Sequence, residues 1–358
     1  MASRALADKP LGVLSPGSGA VAAPWPAHRP HRAGSAATHL RRMNFVGRLT
    51  LWNGSLFLAA AMATAGTALL WLILLHSAWG EPALRATAGS AAATVLLGMA
   101  QAVLMFGLYN VLVPPRAVMH KPLDGAKVHV AITSYNDQEA VGLTVREFRS
   151  SPWAHQVVVA DNMSADASAQ AALAAGADRV VLEPVPGYGS CCAAALAAAA
   201  DGLDDDDVLI LVEGDCTFSA LGLEKLLAYL AHCDLVLGTR TTQELREVDT
   251  QLDWLINPGN QVAAKLTQLR FWGTRLSDVG CTYRALRVGA YRRLRTRVRD
   301  RHNLFGYEML VEALKLRMRL IEVPVVFRPR VGQSKGVGSA KLKAAWQALR
   351  VLYKLYTC

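Results

Sequence analysis

Two stretches of this 358-residue chain lack charge altogether: residues 49–80 and 86–115 hold no Asp, Glu, Lys or Arg over 32 and 30 positions. Each exceeds the roughly 20 apolar residues a helix needs to cross a bilayer. Each also contains a dense apolar block, LLWLILL at 69–75 and TVLLGMAQAVLMFGLYNVLV at 94–113. The pattern predicts two transmembrane helices within 47–116, with a pair of buried soluble helices as the alternative. A cleaved signal peptide fits worse, because its apolar region would begin about 50 residues in and be about twice too long. Metal-ligand cysteine spacing is missing too. None of the six cysteines forms a C-x-x-C pair or a Cys/His cluster, although Cys191 and Cys192 are neighbours, so no zinc site is expected. Reduced, packed thiols are expected of a cytosolic domain.

Acidic residues are scarce at both ends. Residues 1–48 carry seven Lys/Arg against one acid, and residues 284–358 carry eighteen against four. With a net charge of +10 overall, residues 49–283 are left at −10. An acidic centre and a basic C-terminal third suggest a metal site beside a surface for phosphates or anionic headgroups. Nucleic acid is the rival partner for such a surface, but no recognition motif or aromatic-basic platform is present, so none is expected. Arg41, Arg42 and Arg48 precede the first predicted span, and Arg116, Lys121 and Lys127 follow the second. Only Glu81 and Arg85 lie between the spans. Basic flanks stay inside, so a plasma-membrane protein with cytoplasmic termini and catalytic domain is expected. Residues 1–46, rich in Ala, Pro, Gly and Ser, read as a disordered basic tail, and Met43 is an alternative start.

From residue 125 the chain alternates strand and helix patterns. KVHVAITSY (127–135), QVVVAD (156–161), DRVVLE (178–183), DDVLILVEGD (206–215) and CDLVLGTR (233–240) read as strands. Between them EAVGLTVREF, ASAQAALAAGA, GYGSCCAAALAAAA and LEKLLAYLA read as helices. Continuous apolar strands alternating with helices predict a mostly parallel sheet covered on both faces. Ligands of such sheets bind beyond the carboxyl ends of the strands. Three strands end there on acidic or amide residues: Asn136 and Asp137, Asp161 and Asn162, and Glu213 and Asp215. In extended chain, residues i and i+2 point to one side, so Glu213 and Asp215 converge across Gly214. Two hard oxygen ligands suit Mg²⁺ or Mn²⁺ held with a substrate phosphate. A solvated acidic turn, which DGLDDDD (201–207) is expected to be, is the alternative.

These residues resemble family-2 glycosyltransferases of the GT-A fold, in the branch of dolichol-phosphate mannose synthase that glycosylates polyprenyl phosphates. TSYND (133–137) resembles T-x-Y-N-E, and VADNMSADAS (159–168) resembles V-D-N-x-S-x-D-x-[ST]. GYGSCCAAAL (187–196) resembles G-x-G-x-A, and EGD (213–215) stands where D-x-D is usual. VLGTR (236–240) resembles the strand ending in Ser/Thr-Arg, and LSDVGCTYRALR (276–287) resembles D-x-x-[ST]-G-[FY]-R-A. EVPVVFRPRVGQSKGVGS (322–339) resembles E-V-P-[IV]-x-[FY]-x-x-R-x-x-G-x-S-K. The matches run in family order. Two departures stand out: Glu213 replaces an Asp, and Thr217 stands where the family often has Gln.

The resemblance implies a Rossmann-like nucleotide-diphospho-sugar transferase domain over 125–338. It implies donor-nucleotide contacts from Ser134, Tyr135, Asp137, Asp161, Asn162, Gly187, Gly189 and Gly214. A divalent cation would sit on Glu213 and Asp215. Asp215, Asp278, Arg240 and Arg284 would carry catalysis, with Asp278 either orienting groups or accepting a proton. Arg328, Arg330, Ser334 and Lys335 would hold the acceptor phosphate. The expected activity is inverting transfer of a hexose from a UDP- or GDP-sugar to a polyprenyl phosphate. Alternatives are a non-phosphate acceptor (lipid, protein or growing polysaccharide) and an inactive nucleotide-sugar-binding subunit. A processive synthase would need Q-x-x-R-W, and only QALRV (347–351) comes near.

Three segments are read two ways. YRRLRTRVRDR (291–301) is a solvated face or a surface for anionic headgroups. In 339–358, Leu342, Trp346, Leu349 and Tyr353 recur at helical spacing beside Lys343, Gln347, Arg350 and Lys354. That pattern fits a helix in the membrane interface or one packed on the catalytic domain. NPGN (257–260) is a plain turn or an acceptor contact.

Overall fold

The computed structural model describes residues 117–250, 256–271 and 274–332, with isolated positions in 93–100 and 350–353. The tail at 1–46, almost all of the predicted spans at 47–116, and Ser334 and Lys335 lie outside the described residues, as does most of 339–358. Among the described residues no helix is long and apolar enough to cross a membrane.

Seven strands form one sheet in the order β3-β2-β1-β4-β6-β5-β7. They are β1 (Val128–Ser134), β2 (Gln156–Asp161), β3 (Arg179–Leu182), β4 (Val208–Glu213), β5 (Leu235–Thr239), β6 (Arg284–Arg287) and β7 (Leu320–Pro324). The helices are α1 (Val141–Arg149), α2 (Ser168–Ala174), α3 (Tyr188–Ala199), α4 (Leu223–Leu230), α5 (Ile256–Phe271), α6 (Val288–Leu294) and α7 (Phe305–Lys315). Each predicted strand and helix of the 127–240 stretch forms, and α2 gives way to Gly176 at φ +94°. Only β6 runs antiparallel, to both β4 and β5. Its sequence, RALR, did not announce a strand; both arginines are buried with it.

The period-2 geometry of strands explains why they read as unbroken apolar runs. Ala131, Val158, Leu209, Leu211 and Leu237 face one core, with α3, α6 and α7. Val130, Ile132, Val157, Val159, Ile210 and Val212 face another, with α1 and α4. All seven residues of β1 are buried. Burying a Val, Leu or Ile side chain contributes roughly 1.5–3 kcal/mol, so both faces hold the central strands rigidly in register. β1 pairs with β2 on one side and β4 on the other. The strand order therefore reverses between β1 and β4, where open α/β sheets leave a crevice.

Candidate active site

A cavity of about 480 Å³ opens at that reversal. The end of β1 contributes Thr133, Ser134, Tyr135 and Asp137; the end of β4 contributes Glu213, Gly214 and Asp215. Asn162, Pro186, Gly187, Tyr188, Cys191, Gly280, Thr282, Asn303 and Arg330 complete its wall. The loops leaving the first, second and fourth strands each contain a non-glycine residue at positive φ: Asn136 (48°), Met163 (55°) and Cys216 (66°). Such conformations cost of order 1–3 kcal/mol and cluster where function constrains the backbone.

Gly214 separates the two acids for a steric reason. A Cβ there would lie 2.8 Å from the Thr133 carbonyl oxygen, to which the Gly214 N–H donates at 2.8 Å. The backbone is thereby pinned to β1, and Glu213 and Asp215 project together into the cavity. Burial, then the neighbouring Asp215 carboxylate, push the Glu213 carboxyl up to about 8. Arg330 opposes this shift, and so does a hydrogen bond from the Tyr188 hydroxyl. Asp215 accepts from the Thr217 N–H (3.1 Å) and hydroxyl (2.6 Å).

Arg330 is the cation among these acids. Its Nη2 donates to Asp137 Oδ1 at 2.7 Å, and its Nη1 lies 3.3 Å from Asp215 Oδ2. The Val331 N–H donates to the Asp215 carbonyl at 3.1 Å, which holds the 330–331 backbone against the strand end. The donor set fits a divalent cation. Two carboxylates converge, and one of them is proton-loving because a single guanidinium does not offset their joint burial.

Other expected site residues are placed differently. Asp161 is not on the cavity wall, and its carboxylate accepts from the Ser164 N–H (2.9 Å) and hydroxyl. Asn162 stays on the wall: its amide donates to the Glu183 and Val185 carbonyls and accepts from the Gly187 N–H at 2.8 Å. A Cβ on Gly189 would lie 2.4 Å from the Asp300 carbonyl, so this glycine serves close packing and is not on the wall. Arg284 lies inside the core and off the wall, donating to the Cys281 carbonyl (3.0 Å) and the Gly306 carbonyl (2.6 Å). Burial pulls its pKa down. Arg328 pairs with Glu147 at 3.0 Å and is also off the wall.

Asp278 and Arg240 do meet. Arg240 Nε and Nη2 donate to the two Asp278 oxygens at 2.8 and 2.9 Å. Burial would raise the Asp278 carboxyl, but the Arg240 guanidinium overrides it and holds it down to about 2. Asn260 joins them, and its place corrects the plain-turn alternative for NPGN: residues 257–260 form the first turn of α5. Sequence reasoning also missed Tyr188, Gly280, Thr282 and Asn303. Tyr188, Gly280 and Thr282 stood inside quoted motifs; Asn303 carried no signal.

In the basic stretch 291–301, Arg292 pairs with Asp205, Arg293 with Asp234 at 3.6 Å, and Arg297 with Glu312 at 3.7 Å. At the C-terminus, Arg350 lies 3.4 Å from Asp300 and Val351 packs on the core, while Tyr353 is exposed.

No protein-family model matches the chain. An uncharacterized glycosyltransferase of Mycobacterium tuberculosis is 29% identical over 219 residues, covering 61% of this chain and 93% of the relative. Protein RfbJ of Shigella flexneri is 30% identical over 115 residues, or 32% of this chain and 84% of RfbJ. The undecaprenyl-phosphate mannosyltransferase of Micrococcus luteus is 26% identical over 245 residues, 63% and 98% of the two chains. Among solved structures, glucosyl-3-phosphoglycerate synthase of M. tuberculosis, crystallised with Mn²⁺, UDP-glucose and phosphoglyceric acid, superposes with a TM-score of 0.51. That match covers 65% of this chain and 81% of the synthase at 15% identity, and so speaks for the fold. A mixed, mostly parallel sheet with paired acids at its reversal, and relatives of this kind over most of their own length, lead to one conclusion: the chain belongs to the glycosyltransferases.

Proposed function

We propose that the enzyme transfers a hexose from a UDP- or GDP-sugar to a polyprenyl phosphate, with inversion, at the cytoplasmic face of the plasma membrane. The observation that carries this reading is the convergence of Glu213 and buried Asp215 at the sheet's reversal, beside Arg330. Glu213 and Asp215 would hold Mg²⁺ or Mn²⁺, which when bound offsets charge on the departing nucleoside diphosphate. Ser134, Tyr135, Asp137, Asn162 and Gly187 line the space for the donor. The Ser134 hydroxyl is buried without a partner and is available to it. A cation on the two acids would relieve Arg330 of compensating Asp215, freeing its Nη1 for a phosphate oxygen while Nη2 stays on Asp137.

A phosphate acceptor, with a second pKa near ~6, is largely ionised at neutral pH and needs cations more than a base. The basic C-terminal third, the two uncharged runs at 49–80 and 86–115, and the M. luteus relative support a lipid-borne acceptor. The test incubates membranes holding the full chain with labelled UDP- and GDP-sugars and undecaprenyl phosphate, with Mg²⁺ or Mn²⁺. A mild-acid-labile glycolipid is expected. No such product with any donor would sink the acceptor assignment.

A further inference from the structure

Asp278 sits where a proton acceptor could be sought, yet its surroundings leave it no free lone pair. A carboxylate offers about four lone-pair sites, and five donors converge on this one. Its Oδ2 accepts from Arg240 Nε at 2.8 Å and the Arg240 backbone N–H at 3.1 Å. Its Oδ1 accepts from Arg240 Nη2 (2.9 Å), Asn260 Nδ2 (2.6 Å) and the Gly280 N–H (2.9 Å). The side chain has no solvent exposure. Asn260 makes a second contact, accepting from the Val279 N–H at 3.1 Å.

The same segment is held from the other side by Glu322 of β7. That carboxylate accepts from the Ser277 N–H and hydroxyl, both at 2.8 Å, and from the Asp278 N–H, also at 2.8 Å. Three elements thus meet at Asp278: the end of β5 through Arg240, the first turn of α5 through Asn260, and β7 through Glu322. The next residues, Gly280 and Thr282, line the cavity. Gly280 has the network directly behind it, since a Cβ there would lie 2.9 Å from Arg240 Nη2 and 3.5 Å from Asn260 Oδ1. A shift of the network therefore moves the wall.

We propose that Asn260 is a positioning residue for sugar transfer, acting through Asp278: together they fix residues 278–282 as one wall of the cavity. Asp278 is a permanently ionised anchor there and does not accept a proton from substrate. This rests on the reading of the cavity as the donor site. The charged and titratable groups facing Asp278 are Arg240, Arg284, Cys281 and Glu322. Asn260 supplies the one neutral side-chain donor.

The test uses the full chain in lipid nanodiscs, assayed for transfer to undecaprenyl phosphate between about pH 5 and 9. Asn260→Ala should lower kcat about ten-fold, the cost of one charge-assisted hydrogen bond, with the shape of the pH profile unchanged. Asn260→Asp should lose about a hundred-fold at high pH, where two carboxylates face each other. The deficit should narrow toward pH 5 as the new carboxyl takes a proton and donates as the amide did. Melting temperatures compared at each pH separate this from general unfolding. A deficit for Asn260→Asp that ignores pH, or wild-type rates in Asn260→Ala, overturns the positioning role. Asp278→Asn should slow transfer at every pH; loss of the acid limb alone in that variant would reveal a proton acceptor and overturn the anchor. If wild type transfers nothing, the functional reading fails separately, and ¹³C NMR of the Asp278 carboxyl still decides the network. It should titrate below about pH 3 in wild type and higher in Asn260→Ala; a wild-type carboxyl titrating in the ordinary range refutes the brace.

Discussion

The cavity is flanked by two buried carboxylate systems that behave in opposite ways. At the end of β4, Glu213 and Asp215 face each other, and Arg330 is shared between Asp215 and Asp137. Behind the wall at Gly280, Asp278 has Arg240 to itself, with Asn260 and two backbone N–H groups in addition. Burial disfavours ionisation in both places. Too few compensating charges leave Glu213 raised to about 8, and an excess of donors leaves Asp278 lowered to about 2. The first system shares one guanidinium among its acids and invites a further cation; the second has a guanidinium to itself. Unequal compensation is what distinguishes a ligand-binding acid from a structural one here.

The largest test of this contrast removes Asp215. Asp215→Ala should cut transfer by roughly 10³-fold or more, the scale of losing charge stabilisation at a leaving group, while the purified protein keeps its melting temperature within a few degrees. Arg330→Gln comes next. Without the guanidinium that Asp137 and Asp215 share, the metal-free chain should lose about 2 kcal/mol, the scale of a hydrogen bond to a charged group. Urea unfolding measures this, and Mn²⁺ should restore most of it while transfer stays about a hundred-fold down.

The two systems should also give stability opposite dependences on pH. Glu213 binds its proton more tightly folded than unfolded, its pKa rising from 4.5 to about 8. The chelated chain should therefore lose stability as pH climbs through that window, and then level off. Glu213→Gln should flatten the slope, and Mn²⁺ should stabilise more at pH 8 than at pH 6. Asp278 binds its proton less tightly folded, its pKa falling from 3.8 to about 2. Its contribution of about 2 kcal/mol is complete above the unfolded value and disappears as pH falls toward 2. Acid unfolding followed by circular dichroism should show a shallower limb in Asp278→Asn. The smallest expected effect is Gly280→Ala: its Cβ would lie 2.9 Å from the end of the Arg240 side chain, which must shift, and transfer should fall only a few-fold.

Much of the catalytic domain could be read directly. Strands buried on both faces left unbroken apolar runs, and helices between them kept clear boundaries, as at Gly176. The E-G-D strand end announced converging acids because side chains alternate along extended backbone, and the structure supplies the reason for the glycine: the β1 carbonyl at its back. β6 was illegible, since a four-residue strand with arginine at both ends has no apolar pattern and forms only because β4 and β5 leave a slot between them. Arg284 looked catalytic for the same reason; a charge inside a motif does not reveal whether backbone carbonyls will claim it. Asn260 was hidden because NPGN is a turn sequence by local preference, and packing of α5 overrides that preference.

By itself the sequence determined the alternation of elements, the sheet covered on both faces, and the pair of acids at a strand's carboxyl end, because these follow from periodicity and short-range geometry. Which charge meets which was set by packing in three dimensions. Arg330 came to Asp137 and Asp215 from more than a hundred residues away, and Asn260 came to Asp278 from a separate helix. Electrostatic compensation depends on distance in space and on burial, neither of which local sequence encodes.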